Sequence, residues 1–221
     1  MSIPIFIINL DKAVDRWEQL ENRMNEIQQQ NYFRFRAFDK NAPNLNIHLK
    51  KNNIKIIEDS NFKEQRKGES ACALSHKKLL EKIVELKYDW AIILEDDVRP
   101  IKKIPTTVEE FENANGKIPI NTDVIFLNDR INGKKKNHLK YLEELNGYGL
   151  EGYMVSNSGA KKLLKLCDDI TKPIDLVFLA HVNFKKLKTF RNTKYQLLEI
   201  NGYRTMFPYV KIRENNDSYI R

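Results

Sequence analysis

Three consecutive carboxylates, Glu95, Asp96 and Asp97, follow directly on the apolar run Ile92, Ile93 and Leu94, and Val98 closes the segment. Acids placed side by side repel one another, so the cluster suits a hard divalent cation such as Mn²⁺ or Mg²⁺. In open α/β sheets ligands gather at the carboxyl ends of strands. A cation there can carry a pyrophosphate and neutralise its charge as it leaves. An acidic turn without chemistry, or a metal-dependent phosphotransferase using the same three residues, shares this pattern. No GxxxxGK[ST] or GxGxxG segment occurs, which removes the commonest nucleoside-triphosphate and dinucleotide sites.

The elements that must hold this turn are legible as periodicity. Residues 3–10 are a β-branched apolar run, read as a buried strand, and Asp11 is placed to cap the helix that follows. Val14, Trp17, Leu20, Met24 and Ile27 recur at spacings of three and four, the stripe of an amphipathic helix. Residues 33–38 alternate as a short strand, and the polar stretch 39–67 reads as a surface loop with one short helix near Ile54. Helical spacing returns over 70–86 and runs into a buried strand at 90–94. A strand at 123–127, a basic Asn/Gly/Lys loop, a strand at 152–156 and a helix at 158–167 follow. A short helix after Pro173 and late strands at 197–200 and 206–212 complete the chain. Strands alternating with helices predict an α/β fold in one domain, with a mostly parallel central sheet flanked by helices.

Composition narrows the classes. With 41% hydrophobic residues and only 8 glycines and 7 prolines in 221 residues, neither a disordered nor a collagenous chain fits. No stretch approaches the roughly 20 apolar residues of a membrane helix, and the opening MSIPIFIINLDK has no basic segment followed by a cleavage site. Cys72 and Cys167, far apart and without a CxxC partner, suggest no zinc cage or disulfide framework, so a cytoplasmic location is expected. The net charge of +8 favours an anionic partner. Its clusters are Lys134, Lys135, Lys136 and Lys140, then Lys185, Lys186, Lys188, Arg191 and Lys194. They are not interleaved with stacking aromatics, so nucleic acid is not expected. A passive binding module for an anionic glycan or nucleic acid remains the alternative from another class.

Several segments, taken in order, resemble the glycosyltransferase family of bacterial lipooligosaccharide galactosyltransferases, family 25, which also includes the collagen hydroxylysine galactosyltransferases. The residues are Ile8, Asn9 and Leu10 with Asp15 and Arg16; Ala37, Phe38 and Asp39; Gly68 to His76 (GESACALSH); and Leu94 to Val98. Gly152 to Ser156 with Gly159, Ala160 and Leu163, and then Pro173, Ile174 and Asp175, complete the set. Ala71 departs from the glycine that many members carry, and residues 39–67 and the tail beyond about 180 match poorly.

The resemblance implies a GT-A type fold, with residues 1–130 as the donor and metal half and 131–221 as the acceptor half. It implies a UDP-hexose donor, galactose before glucose, Mn²⁺ or Mg²⁺, and inversion at the anomeric carbon. The implied acceptor is a lipid-linked lipooligosaccharide or lipopolysaccharide glycan. A basic surface then suggests peripheral contact with the anionic inner membrane, each Lys or Arg near it contributing about 1 kcal/mol. Asp97 is the expected metal ligand, with Glu95 first in a DxD-like triplet and Asp96 beside it; His181 is a candidate to complete the shell. Asn9, Leu10, Arg16, Ala37, Phe38, Asp39, Ser75 and His76 are expected at the donor. Arg16 offers a fork of donors to an anion, or else an ion pair with a neighbouring acid. A single displacement needs a base for the acceptor hydroxyl. Asp175 is preferred, although a helix cap explains it equally, and Glu151 beside Gly152 is the second candidate. Cys72 reads as packing.

Overall fold

The computed structural model describes residues 2–55, 63–135, 140–182 and 190–213, and in it the first apolar run forms strand β1 (Ile5–Asn9), buried at every residue. β1 pairs in parallel with β2 (Tyr32–Arg36) on one side and β3 (Trp90–Glu95) on the other. Parallel neighbours cannot be joined by a tight turn. Helix α1 (Val14–Glu26) therefore crosses from β1 to β2, and α2 (Leu45–Lys51) and α3 (Lys63–Glu85) precede β3.

Past β3 the strand direction reverses. β8 (Gly152–Ser156) runs antiparallel between β3 and β5 (Val124–Phe126), and β9 (Gly202–Thr205) returns parallel to β5. The hairpin of β6 (Ile131–Lys135) and β7 (Tyr141–Gly147) completes the order β2-β1-β3-β8-β5-β9-β7-β6. The α/β class and the large central sheet flanked by helices are as expected. Parallel pairing lies at β1–β2, β1–β3 and β5–β9, so the sheet is mixed. The reversal matters for the site. Leu94 at the end of β3 lies opposite Gly152 at the start of β8, so the acidic turn meets the loop that enters β8.

Alternate residues of the buried strands face two apolar layers, which is why these strands read as continuous runs rather than as half-polar ones. Phe6, Ile8 and Ile93 pack with α3, α5 (Asn157–Leu166) and α6 (Ile174–His181). Ile5, Ile7, Ile92 and Leu94 pack with α1 and α4 (Val108–Asn115). A ribbon of β4 (Val98–Pro100) and β10 (Val210–Ile212) extends from the acidic turn.

Some expectations need correction. Asp11 does not cap α1, which begins at Val14 with no side-chain cap bond; it pairs with Arg36 at 2.6 Å. Val14 is exposed and Arg16 is buried in its stead, because Arg16 has an anionic partner inside. Residues 197–200 form no strand; β9 lies just beyond them. The basic loop after β5 is the β6–β7 hairpin, whose edge lysines hide the alternation that marks a strand. Of the basic clusters, Lys134, Lys135, Lys140 and Lys194 are exposed, whereas Lys136, Lys185, Lys186 and Lys188 lie outside the described residues. No described helix is long and apolar enough to cross a membrane.

Candidate active site

The turn between β3 and β4 gives its three carboxylates different surroundings. Asp96 is spent on structure. Its Oδ1 accepts from Arg16 Nη1 at 2.9 Å and its Oδ2 from Asn9 Nδ2 at 2.7 Å, while Asn9 Oδ1 accepts from Arg34 Nε at 2.7 Å. This buried node ties the end of β3 to β1, α1 and β2. Protein donors engage Asp96 at both oxygens, so it stabilises the turn, while Asn9 is 1% exposed and lies outside the cleft lining, against the expectation that it meets a ligand directly.

Asp97 and Glu95 are poised differently. Asp97 Oδ1 is buried with no hydrogen-bond partner among the described residues, and burial, followed by repulsion from Glu95 and Asp96, pushes its carboxyl up to about 7. Burial also raises Glu95 to about 7, with Asp175 and Asp96 adding to the effect. Glu95 Oε1 lies 3.1 Å from His76 Nε2, and His76 Nδ1 lies 3.0 Å from the Tyr153 hydroxyl. Burial holds His76 down to about 4 and the Tyr153 phenol well above its ordinary value, so at neutral pH the ring is uncharged and the phenol protonated. Every donor is satisfied if Tyr153 donates to Nδ1 and Nε2–H donates to Glu95. His76 is thus a neutral support that fixes a carboxylate, as the outer partners of metal ligands do.

A second group faces the turn from β8 and α6. Glu151, 4% exposed, pairs through Oε1 with Arg130 and accepts from Asn128 Nδ2 at 2.8 Å through Oε2. Its carboxyl is raised to about 7, first by burial and then by Glu95. Asp175 sits in the first turn of α6, where its Oδ1 accepts from Leu176 N at 2.8 Å and the Gly149 N–H also bonds it. Burial raises Asp175 as well. Pro173, not Asp175, occupies the cap position. Of the two candidate bases, Glu151 has both oxygens engaged by Arg130 and Asn128.

Between the acidic turn, α3 and the ends of β1 and β2 lies a cleft open to solvent. It brings together Leu10, Arg16, Ala37, Phe38, Ser75, His76 and the three acids, as the sequence suggested. Ser75 works from behind the surface: its Oγ accepts from Phe38 N at 2.9 Å and donates to Ala71 O at 2.8 Å, pinning the segment after β2 to α3. Asp39 turns to Lys12 at 2.8 Å and does not line the cleft. His181 is corrected. Its Nδ1 donates to Leu198 O at 2.7 Å and its Nε2 accepts from Asn192 N at 3.1 Å, so both nitrogens hold backbone and neither is open to a metal. Sequence reasoning gave no role to Lys40, Tyr153, Asn128 or Arg130. Tyr153 pairs with a residue 77 positions away on α3, and Arg130 with one 21 positions away, and no spacing signals them. Cys72 Sγ lies within 4.8 Å of ligand atoms of His76 and Glu95, with its thiol pushed up by burial and then by Glu95.

The donor set suits a hard divalent cation. An orphaned carboxylate oxygen on Asp97 lies in a turn with Glu95, and both acids are disfavoured as anions until a positive charge joins them.

Comparison with known proteins bears on what such a cleft does. No curated protein matches the chain. Solved structures similar at low identity include the following two. One is a glycosyltransferase involved in the glycosylation of the major capsid of PBCV-1, at 9% identity and TM-score 0.48, covering 99% of this chain and 95% of that one. The other is A197 from STIV, at 16% identity and TM-score 0.39, covering 98% and 87%. The model of glycosyltransferase family 25, described as LPS biosynthesis protein, matches residues 2–178, a span that takes in β1, the acidic turn, Glu151 and Asp175. The chain belongs to glycosyltransferase family 25 and is a glycosyltransferase.

Proposed function

We propose that the chain transfers a hexose, galactose before glucose, from a UDP-sugar to a lipooligosaccharide or lipopolysaccharide glycan, with inversion and with a divalent cation. The observation that carries this reading is the buried Oδ1 of Asp97, without a hydrogen-bond partner among the described residues, in the lining of the cleft. Asp97 and Glu95 would hold Mn²⁺ or Mg²⁺, which when bound neutralises the diphosphate of the leaving UDP. His76, backed by Tyr153, keeps Glu95 in place. Leu10, Ala37 and Phe38 offer an apolar wall to the base and ribose, and Lys40 and Arg16, the latter paired with Asp96, bring positive charge to the lining.

Inversion by a single displacement forms a bond from the acceptor oxygen to the anomeric carbon as the bond to the UDP oxygen breaks. The acceptor proton must go to a base on the face opposite the departing UDP. Asp175 fits that role better than Glu151, since Glu151 is already held at both oxygens. Burial raises Asp175, which brings its affinity for a proton nearer the working pH. Family membership leaves the phosphotransferase and passive binding readings without a supporting observation. The test is UDP release from a panel of UDP-sugars with and without Mn²⁺, for the parent and for Asp97→Ala. Turnover that needs Mn²⁺ and vanishes in the variant supports the proposal; turnover unaffected by both removes the metal from it.

A further inference from the structure

The wall of the site formed by Asn128, Arg130, Tyr148 and Glu151 is not part of the donor cleft. None of Asn128, Arg130, Tyr148 or Glu151 lines that cleft, yet Glu95 N donates to Glu151 O at 3.0 Å, so this wall adjoins the acidic turn from the other side. Arg130 is fixed there by two contacts. Its Nη1 pairs with Glu151, and its guanidinium lies 4.2 Å from the centroid of the Tyr148 ring. A guanidinium carries five N–H donors, and among the described residues Nε and Nη2 of Arg130 have no hydrogen-bond acceptor. Tyr148 is 57% exposed, an aromatic surface held at one face by a cation and open elsewhere. The next residue, Gly149, has φ +97 and lies so close to the Glu151 carboxylate that a Cβ would collide with it, and its N–H bonds Asp175. Tyr148 is therefore one residue from the group that holds the proposed base. The hairpin that continues from Arg130 carries exposed Lys134 and Lys135.

We propose that Tyr148 and Arg130 form the acceptor subsite, which takes an anionic saccharide: a pyranose ring stacks on Tyr148 while its carboxylate or phosphate substituent meets the open edge of Arg130. The proposal rests on the glycosyltransfer reading above and adds the acceptor's chemical class to it. Ring stacking brings a sugar hydroxyl toward Asp175, which Gly149 holds beside the platform. The free edge of a planar guanidinium matches two oxygens of one anionic group. A neutral sugar can use the platform alone.

The experiment titrates the full chain with the methyl glycosides of a neutral hexose, a hexuronic acid and a hexose 6-phosphate, with and without UDP and Mn²⁺, read by saturation-transfer NMR. The uronate or the phosphate should bind about tenfold tighter than the neutral sugar, the ratio one charge-assisted hydrogen bond supports; whichever prevails identifies the anion. Arg130→Gln should bring that ratio to about one, and Arg130→Lys should keep part of it. Tyr148→Ala, at an exposed position where folding is not at risk, should weaken all three sugars about tenfold, while Tyr148→Phe leaves them unchanged. UDP affinity should not move in any variant. Equal binding of neutral and anionic sugars, or no effect of Tyr148→Ala, overturns the proposal. A loss of UDP affinity with unchanged sugar binding in Arg130→Gln also overturns it and assigns Arg130 to the donor. Absence of UDP binding in the parent counts against the donor reading instead, because the sugar ratios are measured without UDP as well.

Discussion

Asp96 and Asp97 are neighbours of identical chemistry, and the same isosteric change should move stability in opposite directions. Asp96 accepts hydrogen bonds at both oxygens from Arg16 and Asn9 inside the fold. In Asp96→Asn the new amide nitrogen must face one of these two donors, and the buried guanidinium loses its anion. Breaking one side of a buried pair costs about 3 kcal/mol or more. Asp97 has a partnerless oxygen and a carboxyl pushed up to about 7. At pH 8 a carboxylate so placed is penalised by roughly 4 kcal/mol at 1.4 kcal/mol per pH unit, which partial exposure and coupling to Glu95 lower to about 3 kcal/mol. The amide of Asp97→Asn gives back about 1 kcal/mol through its own unmet hydrogen bonds, leaving about 2 kcal/mol of stabilisation. For a chain of this length 1 kcal/mol moves the midpoint by about 2 to 4 °C. Thermal melts at pH 8 in EDTA should therefore show Asp96→Asn lower by roughly 6 to 12 °C and Asp97→Asn higher by roughly 4 to 8 °C. Midpoints that move in the same direction, or a destabilised Asp97→Asn, would refute the division of roles within the turn.

Other consequences are open to simple measurements. Glu95, Asp97 and Glu151 all sit at about 7 in the fold, above their unfolded values, so the native state binds the extra protons. The metal-free protein should thus lose stability as pH rises from about 5 to 8, and Mn²⁺ should restore more at pH 8 than at pH 6; a midpoint in EDTA that climbs over this range contradicts the burial argument. His181→Ala should destabilise the fold by about 2 kcal/mol, by leaving the Asn192 N–H and the Leu198 carbonyl without their partner, yet leave Mn²⁺ affinity at the parent value in a titration. Gly149→Ala forces a methyl against the Glu151 carboxylate at φ +97 and should cost about 2 kcal/mol or more in a denaturant melt; a neutral result would mean that the loop entering β8 gives way easily.

The parts of the site that lie on contiguous runs were legible in the sequence. An apolar strand followed by Glu95, Asp96 and Asp97 shows where the acids are. The helix with Ser75 and His76, and Asp175 after Pro173, show which elements bring residues to them. What was not legible depends on pairing. The direction of β8 sets which end of that strand meets the acids, and its buried run GYMVS reads the same in either direction. The contact of His76 with Tyr153 spans 77 residues and that of Arg16 with Asp96 spans 80, so no local pattern records them. His181 and Asp96 have residue types suited to a ligand, and only their hydrogen bonds show that both are occupied. Arg130 belongs to no motif in the sequence, and Lys-rich edge strands conceal the hairpin that follows it.

The central claim is that Asp97 and Glu95 hold the divalent cation on which donor binding depends, and a Mn²⁺ titration followed by electron paramagnetic resonance in the presence of UDP tests it most directly. The account predicts saturable Mn²⁺ binding by the parent that is retained in His181→Ala and lost in Asp97→Asn. Parent-like Mn²⁺ binding by a folded Asp97→Asn would contradict it.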